Sequence, residues 1–293
     1  MPIGVDFTGS LIRAGVVENG GVVQSMTAGM KAGAEPPEVL DTMAQLVLTL
    51  ARRPETVGVA IPGEVNTEGR CWRLPNTVGF EGVPIAWELG RRLGCPIAVE
   101  NRATTAGLAE RLYGHGRRHA SFLIVTLGTG IGGGLVIGHQ LYPGANGFGA
   151  EIGHICVDTG ENAPLCTCGQ RGCLEAFAGA RSLLRNYAQL GGTAKDLSTL
   201  VVNARRGERA GQKTFEGMGR ALGRALATVQ NLLDLNAIVF SGGVAAPLDL
   251  IEVHVREELR QRAFAPPLAE IPLLLSDLGE SAGVIGAAYL TAL

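Results

Sequence analysis

The chain has 293 residues, of which 46% are hydrophobic and 18% charged, with a formal net charge of −2. That length supports two domains with real cores, that composition excludes a disordered chain, and the charge balance gives no electrostatic case for nucleic acid or a membrane surface as partner. No stretch approaches the ~18 apolar residues of a spanning helix.

The opening Met1-Pro2-Ile3-Gly4-Val5-Asp6-Phe7 reads directly as a strand. It has no basic or apolar leader, so the cytoplasm is the expected location. A glycine hairpin, Thr8-Gly9-Ser10, leads into a second strand over 11–17. Residues 37–52 carry Leu40, Met43, Val47 and Leu50 at i, i+3, i+7 and i+10, which predicts a helix with one buried face. Short apolar runs at 57–61 and 97–99 predict buried strands. Residues 101–113 form a helix rich in small side chains (Ala103, Ala106, Gly107, Ala109), suited to close packing on a sheet.

The opening pattern then recurs. Residues 122–127 are apolar, Gly128-Thr129-Gly130-Ile131-Gly132 forms a second hairpin, and 133–137 returns as strand. Hairpins of this kind present backbone N–H groups that can cradle phosphate. Taken singly, the second run also fits a plain hairpin, and Asp6 also fits a turn cap. Residues 213–235 predict a long helix through Phe215, Met218, Leu222, Leu226, Val229 and Leu233. Strands follow at 237–240 and 273–275, with Ser241-Gly242-Gly243 as a turn after the first and a final helix over 281–293. This order predicts an α/β protein of two related domains, 1–115 and 116–280, with the last helix packing back on the first. The arginine pairs 52–53, 91–92, 117–118 and 205–206 are scattered and read as solvated surface.

The run Glu151–Glu175 is the most informative. It holds His154, Cys166, Cys168 and Cys173, with proline and glycine where a knuckle must bend. Three thiols and one imidazole are a closed tetrahedral donor set, the signature of a structural Zn²⁺ site. A disulfide with a surface histidine is the competing account, and reduced cytoplasmic thiols favour the metal. The remaining cysteines, Cys71, Cys95 and Cys156, have no ligand spacing and are expected to be buried free thiols.

With these residues in place the chain resembles the ROK (repressor, open reading frame, kinase) sugar kinases, bacterial glucokinases among them. The resemblance runs end to end and is sharpest in E-x-G-H followed by C-x-C-G-x-x-G-C-x-E: Glu151, Gly153, His154, Cys166, Cys168, Gly169, Gly172, Cys173 and Glu175. It implies an actin-like, hexokinase-type (ribonuclease H-like) fold of two domains around an ATP and sugar cleft, with the zinc knuckle in the second domain. Asp6, Thr8, Gly9 and Ser10 would form the first phosphate loop and Gly128, Thr129 and Gly130 the second. Ser241, Gly242 and Gly243 would line the adenosine. Gly63, Asn76, Asn101, Glu151, His154 and Glu175 would contact sugar hydroxyls, His154 using its other ring nitrogen on zinc. The implied cofactors are structural Zn²⁺ and ATP with Mg²⁺. The implied partners are a hexose or hexose phosphate and a second copy of the chain, as a homodimer or homotetramer.

The departure from the family is at 102. Where the motif x-N-D-A-N places an aspartate that takes the proton from the attacking hydroxyl, this chain reads Glu100-Asn101-Arg102-Ala103-Thr104. Arginine accepts no proton near neutral pH. Glu100 is adjacent, but neighbouring strand residues face opposite sides. The usual G-G-T-K of the first loop is Thr8-Gly9-Ser10-Leu11, which adds a side chain where backbone approaches phosphate. The expected function is an ATP-dependent hexose kinase slowed by Arg102. The alternative is a silent sensor of a sugar or sugar phosphate whose anion meets the Arg102 fork. Some relatives carry an N-terminal DNA-binding helix-turn-helix; this chain is expected not to bind DNA by itself.

Overall fold

The structure, a computed structural model, describes residues 1–75 and 77–292. In chain order the strands and α-helices begin β1 (Ile3–Phe7), β2 (Leu11–Glu18), β3 (Gly21–Gly29), α1 (Pro36–Leu50), β4 (Val57–Ile61), β5 (Glu64–Val65), β6 (Cys71–Arg73), α2 (Ile85–Leu93), β7 (Ile97–Asn101) and α3 (Arg102–Tyr113). They continue with β8 (Phe122–Leu127), β9 (Ile131–Ile137), β10 (Gln140–Tyr142), α4 (Glu175–Ala178), α5 (Ala180–Gln189), α6 (Leu197–Arg205) and α7 (Arg209–Leu233). The remainder is β11 (Ala237–Ser241), α8 (Leu248–Arg262), α9 (Pro266–Ala269), β12 (Leu273–Leu275) and α10 (Ala282–Ala288).

Two compact units emerge: Met1–Ala120 with Gly134–Ala150 and Asp277–Leu293, and Ser121–Gly133 with Glu151–Ser276. The two five-stranded sheets share one connectivity, β3-β2-β1-β4-β7 and β10-β9-β8-β11-β12. In each, an antiparallel meander passes into parallel neighbours. Parallel strands buried on both faces need continuous apolar sequence. Val57–Ile61 and Ala237–Ser241 meet that need, every residue being buried.

In the first sheet, alternation sends Val5, Phe7, Val59 and Ile61 into a core shared with Val39, Leu40, Met43 and Val47 of α1 and Ile85 and Leu89 of α2. The opposite face packs on α3 and α10, where small residues let the elements approach closely. At Gly283 of α10 an added Cβ would lie 2.5 Å from Asp6 Oδ2. Proline in its first turn starts α1. Asn101 starts α3, its side chain accepting from Ala103 N at 2.7 Å.

The predicted helices 37–52, 101–113 and 213–235 correspond to α1, α3 and α7, displaced by up to four residues at an end. The predicted final helix is α10, shorter and followed by a 3₁₀ turn at Leu290–Ala292. Two of the three leftover thiols differ from expectation: Cys71 is buried, but Cys95 is only partly buried and Cys156 is exposed. Cys156 lies in a bridge at the protein surface rather than in a core strand.

Candidate functional site

In open α/β sheets, functional groups gather beyond the carboxyl ends of parallel strands. Three such ends in the first unit carry Asp6 (β1), Gly63 (after β4) and Asn101 with Arg102 (β7 into α3). Asp6 pairs in register with Ala60, and Ala60 with Glu100, so all three side chains share one sheet face, and Glu100, expected to face the opposite side, lies on the face of Asp6. The Asp6 residue is 4% exposed. Arg102 grips its carboxylate with both arms, Nε to Oδ1 at 2.5 Å and Nη2 to Oδ2 at 3.0 Å. Burial lowers the Arg102 pKa, but the charge and hydrogen bonds of Asp6 outweigh it and hold the guanidinium above its ordinary value. The fork offered by the sequence to a ligand anion is therefore engaged by a carboxylate of the same chain.

Asn101 is also internally bonded. Its Oδ1 caps α3 and its Nδ2 donates to Gly63 O at 3.0 Å, joining two of the expected sugar contacts. Glu100 accepts from Asn101 N at 2.7 Å, and burial raises its pKa to about 7 against that hydrogen bond. In the first hairpin, Thr8 Oγ1 accepts from Leu11 N at 3.1 Å and Thr8 N donates to Leu11 O at 2.9 Å, which closes the Thr8-Gly9-Ser10 turn. Asn76, an expected sugar contact, lies outside the described residues.

In the second unit, the ligand atoms of His154, Cys166, Cys168 and Cys173 all lie within 4.8 Å of one another. Cys168 and Cys173 sulfurs are 3.7 Å apart, as are Cys166 Sγ and His154 Nδ1. The edge of a tetrahedron with metal–sulfur bonds of ~2.3 Å is about 3.8 Å, so these two pairs match the spacing of such a site and the remaining pairs lie within 4.8 Å. The protonation chemistry agrees. Burial raises the Cys166 pKa and, with its sulfur neighbours, lifts Cys173 to about 12. Only Cys168 falls below its ordinary value, because the Gln170 N–H and neighbouring thiols outweigh burial. Ligation by three thiolates would need a bound dication to offset the cost of charging the buried sulfurs.

The chain folds locally to present these donors. Val157 N donates to Gly172 O at 2.8 Å and Leu174 N to Ile155 O at 2.9 Å, giving a short ladder. Gly172 has φ +76°, and a Cβ there would sit 1.8 Å from Asp158 O, so only glycine fits.

Glu175 links this knuckle to the second hairpin. Its Oε2 accepts from Ile131 N at 3.0 Å and its Oε1 from the Thr167 hydroxyl at 2.8 Å. The hairpin is fixed further by Gly128 N to Gly130 O at 3.0 Å and Ala180 N to Gly128 O at 2.9 Å. Glu151 begins the turn that carries His154, accepting from His154 N through its carbonyl at 3.0 Å. Ser241 pairs with Thr126 at the carboxyl ends of β11 and β8, and Val244 N returns to Leu127 O at 3.1 Å, so Gly242 and Gly243 turn beside the second hairpin.

The family model for ROK proteins matches residues 2–292. The chain belongs to the ROK family. A glucokinase from Thermotoga maritima is 32% identical, over 98% of this chain and 95% of that protein. The crystal structure of a ROK family glucokinase from Streptomyces griseus in complex with glucose and AMPPNP superposes with a TM-score of 0.83 at 30% identity, covering 98% of both chains. The xylose repressor of Bacillus subtilis is 26% identical over 78% of this chain, and the matched part is 59% of the repressor. The mixed α/β architecture with two sheets is thus that of ROK hexokinases.

Sequence reasoning missed two features of this ROK chain. One is the Asp6–Arg102 pair, whose members are 96 residues apart and carry no local signal. The other is Thr167, a knuckle residue between two of the clustered cysteines whose hydroxyl holds Glu175.

Proposed function

We propose that the chain is a ROK-type kinase that transfers a phosphoryl group from ATP to a hydroxyl of a hexose. Full-length correspondence with glucokinases, one of them holding glucose and an ATP analogue, carries this reading. The proposed sugar contacts are Gly63, Asn76, Asn101, Glu151, His154 and Glu175. Asp6, Thr8, Gly9 and Ser10, Gly128, Thr129 and Gly130, and Ser241, Gly242 and Gly243 are the proposed nucleotide contacts. Zn²⁺ is the ion proposed for His154, Cys166, Cys168 and Cys173, as a structural tie holding His154 and Glu175 in place. Mg²⁺ would accompany ATP and offset phosphate charge. A cytoplasmic homo-oligomer completes the proposal.

Phosphoryl transfer depends chiefly on positioning and charge stabilisation, so activity survives the lost base but is slow, by about 10²- to 10⁴-fold. A coupled assay with ATP, Mg²⁺ and glucose, mannose or N-acetyl hexoses tests this. Turnover above the no-enzyme blank supports it, and none with any sugar refutes it.

The second reading is a silent sugar-binding protein of the same fold. The Asp6–Arg102 ion pair favours it, because Arg102 occupies the base position and at the same time neutralises Asp6. Titration calorimetry separates the versions of this reading. Preference for a phosphorylated hexose over the neutral one requires Arg102 to leave Asp6; equal affinity means that it stays.

A further inference from the structure

A cavity of about 220 Å³ lies wholly within the second unit and contains none of the residues assigned above. Arg224, Thr228 and Asn231 of α7 line it at i, i+4 and i+7, one face of the helix. Arg262, the last residue of α8, and Cys156 complete it. Among the described residues no acidic side chain lines the cavity.

Beside it sits Glu258, 3% exposed, which accepts from Arg224 Nε at 3.3 Å and Arg262 Nε at 2.6 Å. Burial raises the Glu258 pKa, but the Arg262 hydrogen bond and the charges of Arg224 and Arg262 outweigh it and hold the carboxyl below its ordinary value. Arg220 also reaches Glu258, at 3.5 Å, but has Glu216 and Glu257 as further partners. One buried carboxylate therefore serves both cavity arginines, leaving an uncompensated positive charge.

The donors are also incompletely used. Arg224 Nη1 donates to Val157 O at 3.3 Å. Arg224 Nη2 and both Nη groups of Arg262 have no hydrogen-bond partner among the described residues. Asn231 secures the end of α8, its Nδ2 donating to Arg262 O at 3.0 Å.

We propose that this cavity is an anion site for a phosphoryl group, either inorganic phosphate or the phosphate end of a monoester. Two guanidinium groups with free terminal N–H donors match a tetrahedral, multiply charged oxyanion better than a neutral ligand. The site adjoins the knuckle: Cys156 bridges to Cys173 through the backbone, and Val157 links Arg224 to Gly172.

Cys156 is exposed and lines the cavity, so it reports occupancy. The test is alkylation of the full-length, metal-loaded chain by iodoacetamide at constant ionic strength, with Cys156 modification read by peptide mass spectrometry. Phosphate should slow the reaction saturably, about tenfold at ten times its Kd, while chloride does nothing. Arg262→Gln should weaken apparent affinity by about tenfold, one charge-assisted hydrogen bond. Thr228→Glu puts a carboxylate into the cavity from an exposed helix position, leaves Glu258 both arginines, and should abolish protection. Glucose 6-phosphate is run in parallel. Stronger protection by the ester assigns the site to a monoester, and equal protection assigns it to free phosphate. Protection that fails to saturate, is matched by chloride, or persists in Thr228→Glu overturns the proposal. None of these readouts uses turnover, so their failure leaves the kinase reading untouched.

Discussion

The carboxyl ends of the strands in the first unit and the Cys/His knuckle in the second solve the same physical problem in opposite ways. Both hold groups that are costly to bury in charged form. In the first, the Asp6 carboxylate is neutralised by Arg102 of the same chain, so the arrangement is complete without any ligand. In the second, three thiols and an imidazole converge with no cationic side chain among the four clustered residues, so on the proposed reading the arrangement is completed by an ion. A self-neutralised centre is stable but occupied, whereas an ion-dependent one stays organised only while loaded. Arg102, the residue expected to depart from the family pattern, falls in the self-neutralised region.

The largest expected effect breaks the second half of that contrast. Removing the ion with a strong chelator, or replacing Cys173 by Ser, should lower Tm by about 10 °C or more, since metal-binding energy at a structural site is folding energy. Differential scanning calorimetry with elemental analysis checks this. A metal-free preparation with unchanged Tm would mean that the knuckle is held by its backbone ladder alone.

Arg102→Asp addresses the first half. It removes the positive arm and places a second carboxylate near Asp6, and on the kinase reading it restores a proton acceptor. Turnover should rise by about 10²- to 10⁴-fold while stability without Mg²⁺ falls. Arg102→Ala separates the two effects: it leaves Asp6 buried and unpaired at a cost of about 1–3 kcal/mol, discounted because the Arg102 side chain is 40% exposed, and gives no gain in rate. Urea denaturation and the coupled assay read both. Equal rates for the Asp and Ala variants would show that the missing base is not what limits the chain.

Glu100 sharpens the picture with pH. Its folded pKa, raised by burial from 4.5 to about 7, favours the protonated acid in the folded state. Its contribution is fully present below pH 4.5 and is lost as pH rises through 7. Glu100→Gln keeps an acceptor for Asn101 N and should flatten the stability profile over that window, gaining at most about 3 kcal/mol above it. Melting temperatures from pH 4 to 8 test the slope, and an unchanged profile would place the charge in contact with water.

Much of this was readable in the residues because it is written in short-range patterns. The twin hairpins at 8–10 and 128–130, the stripe of α7 and the Cys-x-Cys knuckle each sit within one local segment. What was not readable depends on long-range closure. The Asp6–Arg102 pair, the register aligning Asp6 with Ala60 and Glu100, and the bond from Ile131 to Glu175 join distant positions that no periodicity links. Helix α8 went unread because its buried apolar positions Ile251, Val255 and Leu259 are few and lie within a heavily charged run. Cys156 was misjudged because thiols are usually buried, and only the bridge to Cys173 places it at the surface.

The smallest effect asks whether the knuckle positions a substrate group or merely closes the fold. Thr167 gives up one hydrogen bond to Glu175 on replacement by Val, while Glu175 Oε2 keeps Ile131 N. At a solvent-exposed bond to a carboxylate this is worth about 1 kcal/mol. If Glu175 orients a sugar hydroxyl, an Oε1 left with only the long 3.9 Å contact to Cys166 Sγ lets the carboxylate swing, and the sugar Kd should rise about fivefold with little change in Tm. Thr167→Ser retains the donor and should recover the affinity. If Glu175 only braces the hairpin against the knuckle, Tm falls for Val, recovers for Ser, and the sugar Kd is the same in all three chains. Calorimetric titration with glucose reads this without turnover, so it is decisive for an active and a silent chain alike. It also bears on the contrast between the two regions: a Kd that follows the Thr167 hydroxyl ties substrate affinity to the Cys/His knuckle.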